Sequence, residues 1–530
     1  MYIAFVSGVY LAFPYFFRVN DTLFCCIEKK MEYIKRAPTR KMLWDKQLWR
    51  IQQSGRFTLC IVYISLLFDN MLLTVVVPIV PDMLYRIENN NLEPRIPDIT
   101  LTDVIGNSLN CSKQEEDNSD CQHMANTTSY LEISRDYIIP QNIINENEEV
   151  GLLFASKAIV QLTVNPIVGP LTNRMGCPTP LFVGTLILIV SSLMFAYGET
   201  FTVMFLARSI QGIGSACISV AGMAMVADKY PDDKDRSKIM GITMGGIAAG
   251  VLMGYPFGSI MYDFVGKTCP LLILAGFLAL DSVVQLIFLR PRLEPERLLV
   301  GTSIKKLLID PYISLASGAI CVSTFAIAIL EPCLPIWLME SMSPPRWQLG
   351  MVFIPDSVGY LLGTNFFGSI AFKVGRWCTA MVSLIVVGIC ALTIPLSTHI
   401  LQLVVPHFGL GLGIGIIDAS LMPLLAYLVD SRYVALYGSV YAIAQVAVCI
   451  AYSIGPLLGG HLVKTIGFAW VMRIVGILNL LYCPLCYFLR NTPVHDENVA
   501  INLKGNDYRA AKSTPEEGRT AYSSFVNNDE

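Results

Sequence analysis

Long apolar runs alternate with short polar segments along most of the chain. Twelve runs approach the length of a helical bilayer crossing, about 20 residues, at approximately 57–80, 150–171, 180–198, 201–227, 239–260, 270–289, 312–338, 348–372, 377–396, 401–428, 434–463 and 468–489. The pattern predicts an all-α membrane protein whose twelve transmembrane helices form two six-helix bundles, 57–289 and 312–489. Around them are expected a cytoplasmic segment at 1–56, a long lumenal loop at 81–149, a cytoplasmic linker at 290–311 and a cytoplasmic tail at 490–530. A further apolar stretch, 1–17, is short and broken by Pro14. It reads as a signal-like or interfacial segment, or as sequence ahead of an initiator at Met31.

Composition sharpens this picture. Of 530 residues, 54% are hydrophobic and 15% charged, against roughly 25% charged in soluble domains. A soluble enzyme, a coiled coil and a disordered scaffold are excluded. With 38 basic and 41 acidic residues, the balance gives no reason to expect a nucleic-acid partner. The 15 cysteines lie mostly inside apolar runs, where Cys behaves as a small hydrophobe. The lone CxxC, Cys483–Cys486, reads as helix packing, so no metal and no cofactor is expected. GxSxG, HExxH and paired-aspartate protease patterns are absent, so the chain does not read as an enzyme. Twelve spans argue against a seven-helix receptor, and a channel is the remaining non-transporter reading.

Basic residues set the orientation. Nine Lys or Arg lie in 29–56 and thirteen in the alternate short loops after spans 2, 4, 6, 8 and 10, whereas the opposite short loops hold only Lys267, Arg346 and Lys464. Both ends of the twelve-span core are therefore expected in the cytoplasm. The acidic loop 81–149 falls on the far side and carries two glycosylation sequons, at Asn110 and Asn126.

A charge at the bilayer centre costs about 2.5–3.5 kcal/mol on insertion scales and marks a functional candidate. Asp69, Lys157, Arg208, Glu331 and Asp418 stand well inside apolar runs. Asp263, Asp281, Asp356 and Asp430 lie nearer span ends and are expected to meet water. Structural ion pairing alone is the plainer reading of the five. Yet they come from both halves, so they can meet centrally, and they leave one negative charge in surplus. Burial of an unpaired carboxylate favours its protonated form, and a cation can replace that proton. Phe154, Trp337, Tyr360, Tyr441 and Tyr452 offer aromatic faces suited to an ammonium group, though each alone also reads as core or lipid-facing. Glycines at four-residue spacing in span 5, Gly246, Gly250, Gly254 and Gly258, permit close helix packing.

Several stretches are long and specific. They are DNMLLTVVVPIVP at Asp69–Pro81, GLLFASKA at Gly151–Ala158, ARSIQGIGSA at Ala207–Ala216, LEPCLPIWLMESM at Leu330–Met342 and YLVDSRYVALYGSVYAIA at Tyr427–Ala444. Over roughly 57–490 the chain resembles the vesicular amine transporters, a drug:proton antiporter branch of the major facilitator superfamily, and its monoamine members more than its acetylcholine members. The glycine-rich part of span 5 and the loop Gly169–Gly176 resemble two motifs of that branch.

The resemblance implies a monomer that moves cytosolic serotonin, dopamine, noradrenaline or histamine into acidic secretory or synaptic vesicles in exchange for protons. The alternative it leaves is a vesicular carrier of another organic cation such as acetylcholine, or one with altered proton coupling. By the same resemblance, substrate contacts fall to Asp69, Asn70, Phe154, Glu331, Trp337, Tyr360, Asp418, Tyr441 and Tyr452. The proton-coupling network would comprise Asp69, Lys157, Arg208, Glu331, Asp418 and position 445. Four departures stand out. Position 445 is Gln, in YAIAQ, where the family carries Asp. Thr324 replaces an Asn of the monoamine members. The loop after span 7 lacks their cysteine, leaving Cys111 and Cys121 to pair with each other or remain free. The tail segment Val499–Leu503 breaks the isoleucine–leucine trafficking signal.

Overall fold

The computed structural model describes residues 55–77, 79, 143–289, 303–342, 351–433 and 436–490. The chain divides into two units, 1–58 and 59–530, and only Gly55–Thr58 of the first are described. The stretch 1–17, Asn110, Asn126, Cys111, Cys121, most of the loop 81–149, most of the linker 290–311 and the tail after Arg490 lie outside the described residues.

Each expected crossing is a helix. The first six are α1 (Gly55–Val75), α2 (Ile143–Met175), α3 (Pro178–Tyr197), α4 (Phe201–Lys229), α5 (Asp233–Val265) and α6 (Thr268–Phe288). After a short helix at Ile304–Ile309 come α7 (Pro311–Ser341), α8 (Ile354–Val374), α9 (Arg376–Thr393), α10 (Ile400–Arg432), α11 (Gly438–Ile466) and α12 (Phe468–Tyr482). The last of these runs on as a 3₁₀ turn, Cys483–Arg490. Eleven are long and apolar enough to cross a membrane. The exception is α8, which is also 21 residues long but carries Asp356, Asn365 and Lys373 and so falls short in apolarity.

Local chemistry sets the boundaries. Asp232 caps α5 through the Asp235 N–H at 3.0 Å, and Asp310 caps α7 through the Tyr312 N–H at 2.9 Å, with Pro311 in the first turn. Such caps satisfy backbone donors that a helix start leaves free. Four turns rest on a glycine with positive φ, a conformation that disfavours side chains. These are Gly176 between α2 and α3, Gly266 between α5 and α6, Gly375 between α8 and α9, and Gly467 between α11 and α12.

Helix α2 packs along α11 and α5 along α8, with lesser contacts of α5 to α10 and α4 to α11, so the expected halves meet chiefly along two helix pairs. The glycines of α5 explain its close approach to α1. A Cβ at Gly246 would collide with the Tyr63 carbonyl, at Gly250 with that of Leu67, and at Gly258 with that of Val75. Small residues bring backbones together in membranes, where dispersion and not hydrophobicity drives helix association. Gly250→Leu is expected to destabilise the protein by about 3 kcal/mol, the upper end for overpacking. Size-exclusion profiles check this. The folded peak should shrink, whereas Gly276→Leu on α6, which faces open space, should leave it unchanged.

Candidate functional site

Asp69 on α1 is buried and accepts a hydrogen bond from the Ser215 hydroxyl of α4. Lys157 on α2 is also buried and lies within electrostatic reach of Asp69, Arg208, Cys449 and Glu331. Arg208 on α4 donates to Gln211 Oε1 at 2.7 Å and to the Leu73 carbonyl at 3.3 Å, and its guanidinium stands 5.5 Å from the Phe154 ring centre. It feels both Glu331 and Asp69. Glu331, half-buried on α7, accepts from the Tyr255 hydroxyl of α5 at 3.3 Å. Asp418 on α10 accepts from the Tyr360 hydroxyl of α8 at 2.7 Å, while its Oδ1 has no partner. Tyr452 of α11 faces the charges of Glu331 and Asp418.

The remaining expected residues sit elsewhere or spend their polar groups locally. The Asn70 amide donates to the Leu66 carbonyl one turn back at 2.8 Å, and the Thr324 hydroxyl donates to the Ile320 carbonyl at 2.7 Å. Trp337 stacks on Phe468 of α12, with ring centres 4.8 Å apart. Tyr441 is buried, and its hydroxyl reaches Met240 Sδ of α5 and the Met422 carbonyl of α10. Gln445 is buried one turn further along α11. One turn beyond it, Cys449 accepts from the Asn165 amide at 3.5 Å.

Two expectations are corrected. Asp281 does not meet water: it is buried beneath Ser65, at 2.8 Å, and Gln285, at 2.7 Å. It lies in the second half of α6, where Ser65 of α1 and Gln285 of its own helix cover it. Asp356 is 9% exposed, because α8 starts at Ile354 and its first turn is covered by its neighbours. The site therefore gathers four carboxyl groups, Asp69, Glu331, Asp356 and Asp418, against two bases.

A second cluster escaped the sequence reading. At the end of α5 expected to face the cytoplasm, Arg236 bonds Asp430 of α10 at 2.6 Å and Asp233 at 3.2 Å. Arg376 bonds the same Asp233 at 2.7 Å and Ser237 at 2.6 Å, and Tyr437 donates to Asp430 at 2.7 Å. These residues counted only toward topology or as exposed span ends. The sole local signal is the Asp233–Arg236 spacing, one helical turn.

The comparisons agree with one another. Residues 59–451 match the Major Facilitator Superfamily. The chain is 48% identical to the synaptic vesicular amine transporter of Bos taurus, over 87% of this chain and 93% of that protein. It is 36% identical to the vesicular acetylcholine transporter of Rattus norvegicus, over 83% and 84%. Its fold is similar to a crystal structure of the human organic anion transporter MFSD10 (TETRAN), with a TM-score of 0.63 at 15% identity, covering 82% of this chain and 99% of that one.

Proposed function

Because the chain belongs to the Major Facilitator Superfamily and, within it, to the vesicular amine transporters, we propose that it exchanges cytosolic biogenic monoamines for lumenal protons across a vesicle membrane. Serotonin, dopamine, noradrenaline and histamine define the substrate class. The observation that carries this reading is the convergence of Asp69, Lys157, Arg208 and Glu331 from four different helices, each base within electrostatic reach of both acids. Carboxylates with aromatic neighbours bind an ammonium group by charge and by cation–π attraction. The higher identity to the amine transporter than to the acetylcholine transporter favours monoamines.

In this reading the two halves rock about the charged cluster. Amine displaces a proton from Glu331 or Asp418 on the cytosolic side, and the acidic lumen restores it. The protein acts as a monomer with both ends in the cytoplasm, and its lumenal loop is glycosylated at Asn110 and Asn126. Uptake of labelled serotonin into vesicles from expressing cells tests the function. Accumulation is expected to collapse when the proton gradient is dissipated, and saturable uptake indifferent to the gradient would overturn the exchange.

A second reading keeps the fold and changes the coupling. Gln445 is buried on α11 one turn from Cys449, a neighbour of Lys157, and an amide there neither ionises nor balances that ammonium. Gln445→Asp is expected to steepen the dependence of uptake on the pH gradient, read as initial rate against imposed gradient. An unchanged slope would place position 445 outside the coupling network.

A further inference from the structure

Asp356 occupies the first turn of α8, where a carboxylate is favoured by the helix dipole. That placement alone assigns nothing. However, the side chain is 9% exposed, and its Oδ1 is buried without a hydrogen-bond partner. Buried carboxylate oxygens are normally satisfied, and exceptions point to function. Helix α10 presses against it so closely that a Cβ at Gly411 would meet the same oxygen.

The groups around it belong to the transport site. The charge of Glu331 on α7 acts on it, and its own charge acts on Tyr255 of α5, Tyr452 of α11 and Tyr360 of its own helix. On α10 the nearest titratable groups are His407, one turn before Gly411, and Asp418. The His407 Nδ1 lies 3.0 Å from the Val352 carbonyl, and its Nε2 is buried without a partner. Phe353, three residues before Asp356, stacks on Tyr255 at 5.4 Å and on His407 at 6.3 Å. The Tyr255 hydroxyl is thus bonded to Glu331 and also within electrostatic reach of Asp356.

Charge balance gives the role. Two bases balance two of the four carboxyl groups and one bound ammonium balances Glu331. Asp69 and Asp418 each accept a hydroxyl hydrogen bond, so the remaining proton is assigned to Asp356. An isolated extra charge in such a setting costs several kcal/mol. When the amine leaves, Glu331 is the uncompensated group. We propose that Asp356 is the proton relay of the site, passing its proton by way of the Tyr255 hydroxyl to Glu331 as the amine departs and refilling from the side expected to be lumenal. One proton enters Asp356 for each one it gives up, so the relay sets the rate of the return step and leaves the stoichiometry alone. The proposal rests on the amine–proton exchange argued above.

Two transport modes separate the relay from a packing role. Exchange of internal for external labelled amine shuttles a loaded carrier and requires no net proton movement, whereas accumulation against a gradient requires the return step. In Asp356→Asn, of equal shape, serotonin–serotonin exchange is expected to fall far less than gradient-driven accumulation. Accumulation by this variant should slow at least about tenfold, equivalent to about 1.4 kcal/mol on the return barrier. Asp356→Glu, which retains a carboxyl group, should restore accumulation with a displaced pH profile. Equal accumulation by Asp356→Asn and wild type overturns the relay. Loss of exchange and accumulation together also overturns it, in favour of packing. A wild-type protein that neither binds nor exchanges amine instead defeats the underlying function.

Discussion

Glu331→Gln is expected to abolish gradient-driven amine accumulation, a loss of at least about a hundredfold, with the protein still inserted in normal amounts. Its amide keeps the carboxylate's shape and can still accept from the Tyr255 hydroxyl, now at 3.3 Å, so packing is preserved. Two properties disappear. A hydrogen bond to a charged group contributes about 1.5–3 kcal/mol, so losing the anionic partner of an ammonium weakens binding by roughly ten- to a hundredfold. An amide also takes up no proton in the working pH range, which removes the exchange itself. Uptake by vesicles of matched transporter content is the measurement, and normal accumulation by the variant would remove Glu331 from the site.

Asp430→Asn is expected to bias the protein toward a cytoplasm-open conformation. The Arg236 guanidinium is 1% exposed and is held by Asp430 at 2.6 Å, with Asp233 a longer 3.2 Å away. Breaking a buried pair costs about 3–5 kcal/mol, and the 28% exposure of Asp430 puts this one at the low end, about 3 kcal/mol. A shift of that size changes a conformational ratio by about a hundredfold. Ser439→Cys, at the buried contact with Asn173, reports it through its rate of modification from the cytoplasmic side. The rate should rise strongly when Asp430→Asn is added, and an unchanged rate would mean that these ion pairs do not hold that end shut.

The helices were legible because a bilayer imposes a single length and a single polarity on every crossing. Even α8, the least apolar, was found, since its charges are few and well separated. The five central charges were equally legible, since each breaks an apolar run at high cost. Asp356 and Asp281 were misjudged because hydropathy reports distance from the end of a run and not which helices cover that end. The Arg236–Asp430 pair was invisible for a related reason. Its members lie 194 positions apart in the chain, where only tertiary packing joins them. Trp337, by contrast, is an aromatic whose partner, Phe468, belongs to a helix with none of the site's charges.

The four positive-φ glycines carry a cadence that the amino-acid sequence hides. Among the described residues they fall after the second, fifth, eighth and eleventh helices, which is the same place, ahead of the third member, in each of four successive triplets. Position within the triplet then predicts occupation. The leading helices α1, α4, α7 and α10 carry Asp69, Arg208, Glu331 and Asp418, one charge of the site each. The middle helices supply Lys157, Tyr255, Asp356 with Tyr360, and Tyr452. The trailing helices supply none of these, and α6, α9 and α12 display exposed apolar side chains such as Leu280, Ile389 and Leu481. Chemistry is thus assigned by rank, and the outer members serve as buttresses against lipid. A change of cargo would be written in the first two helices of a triplet, leaving the third free to drift among apolar residues.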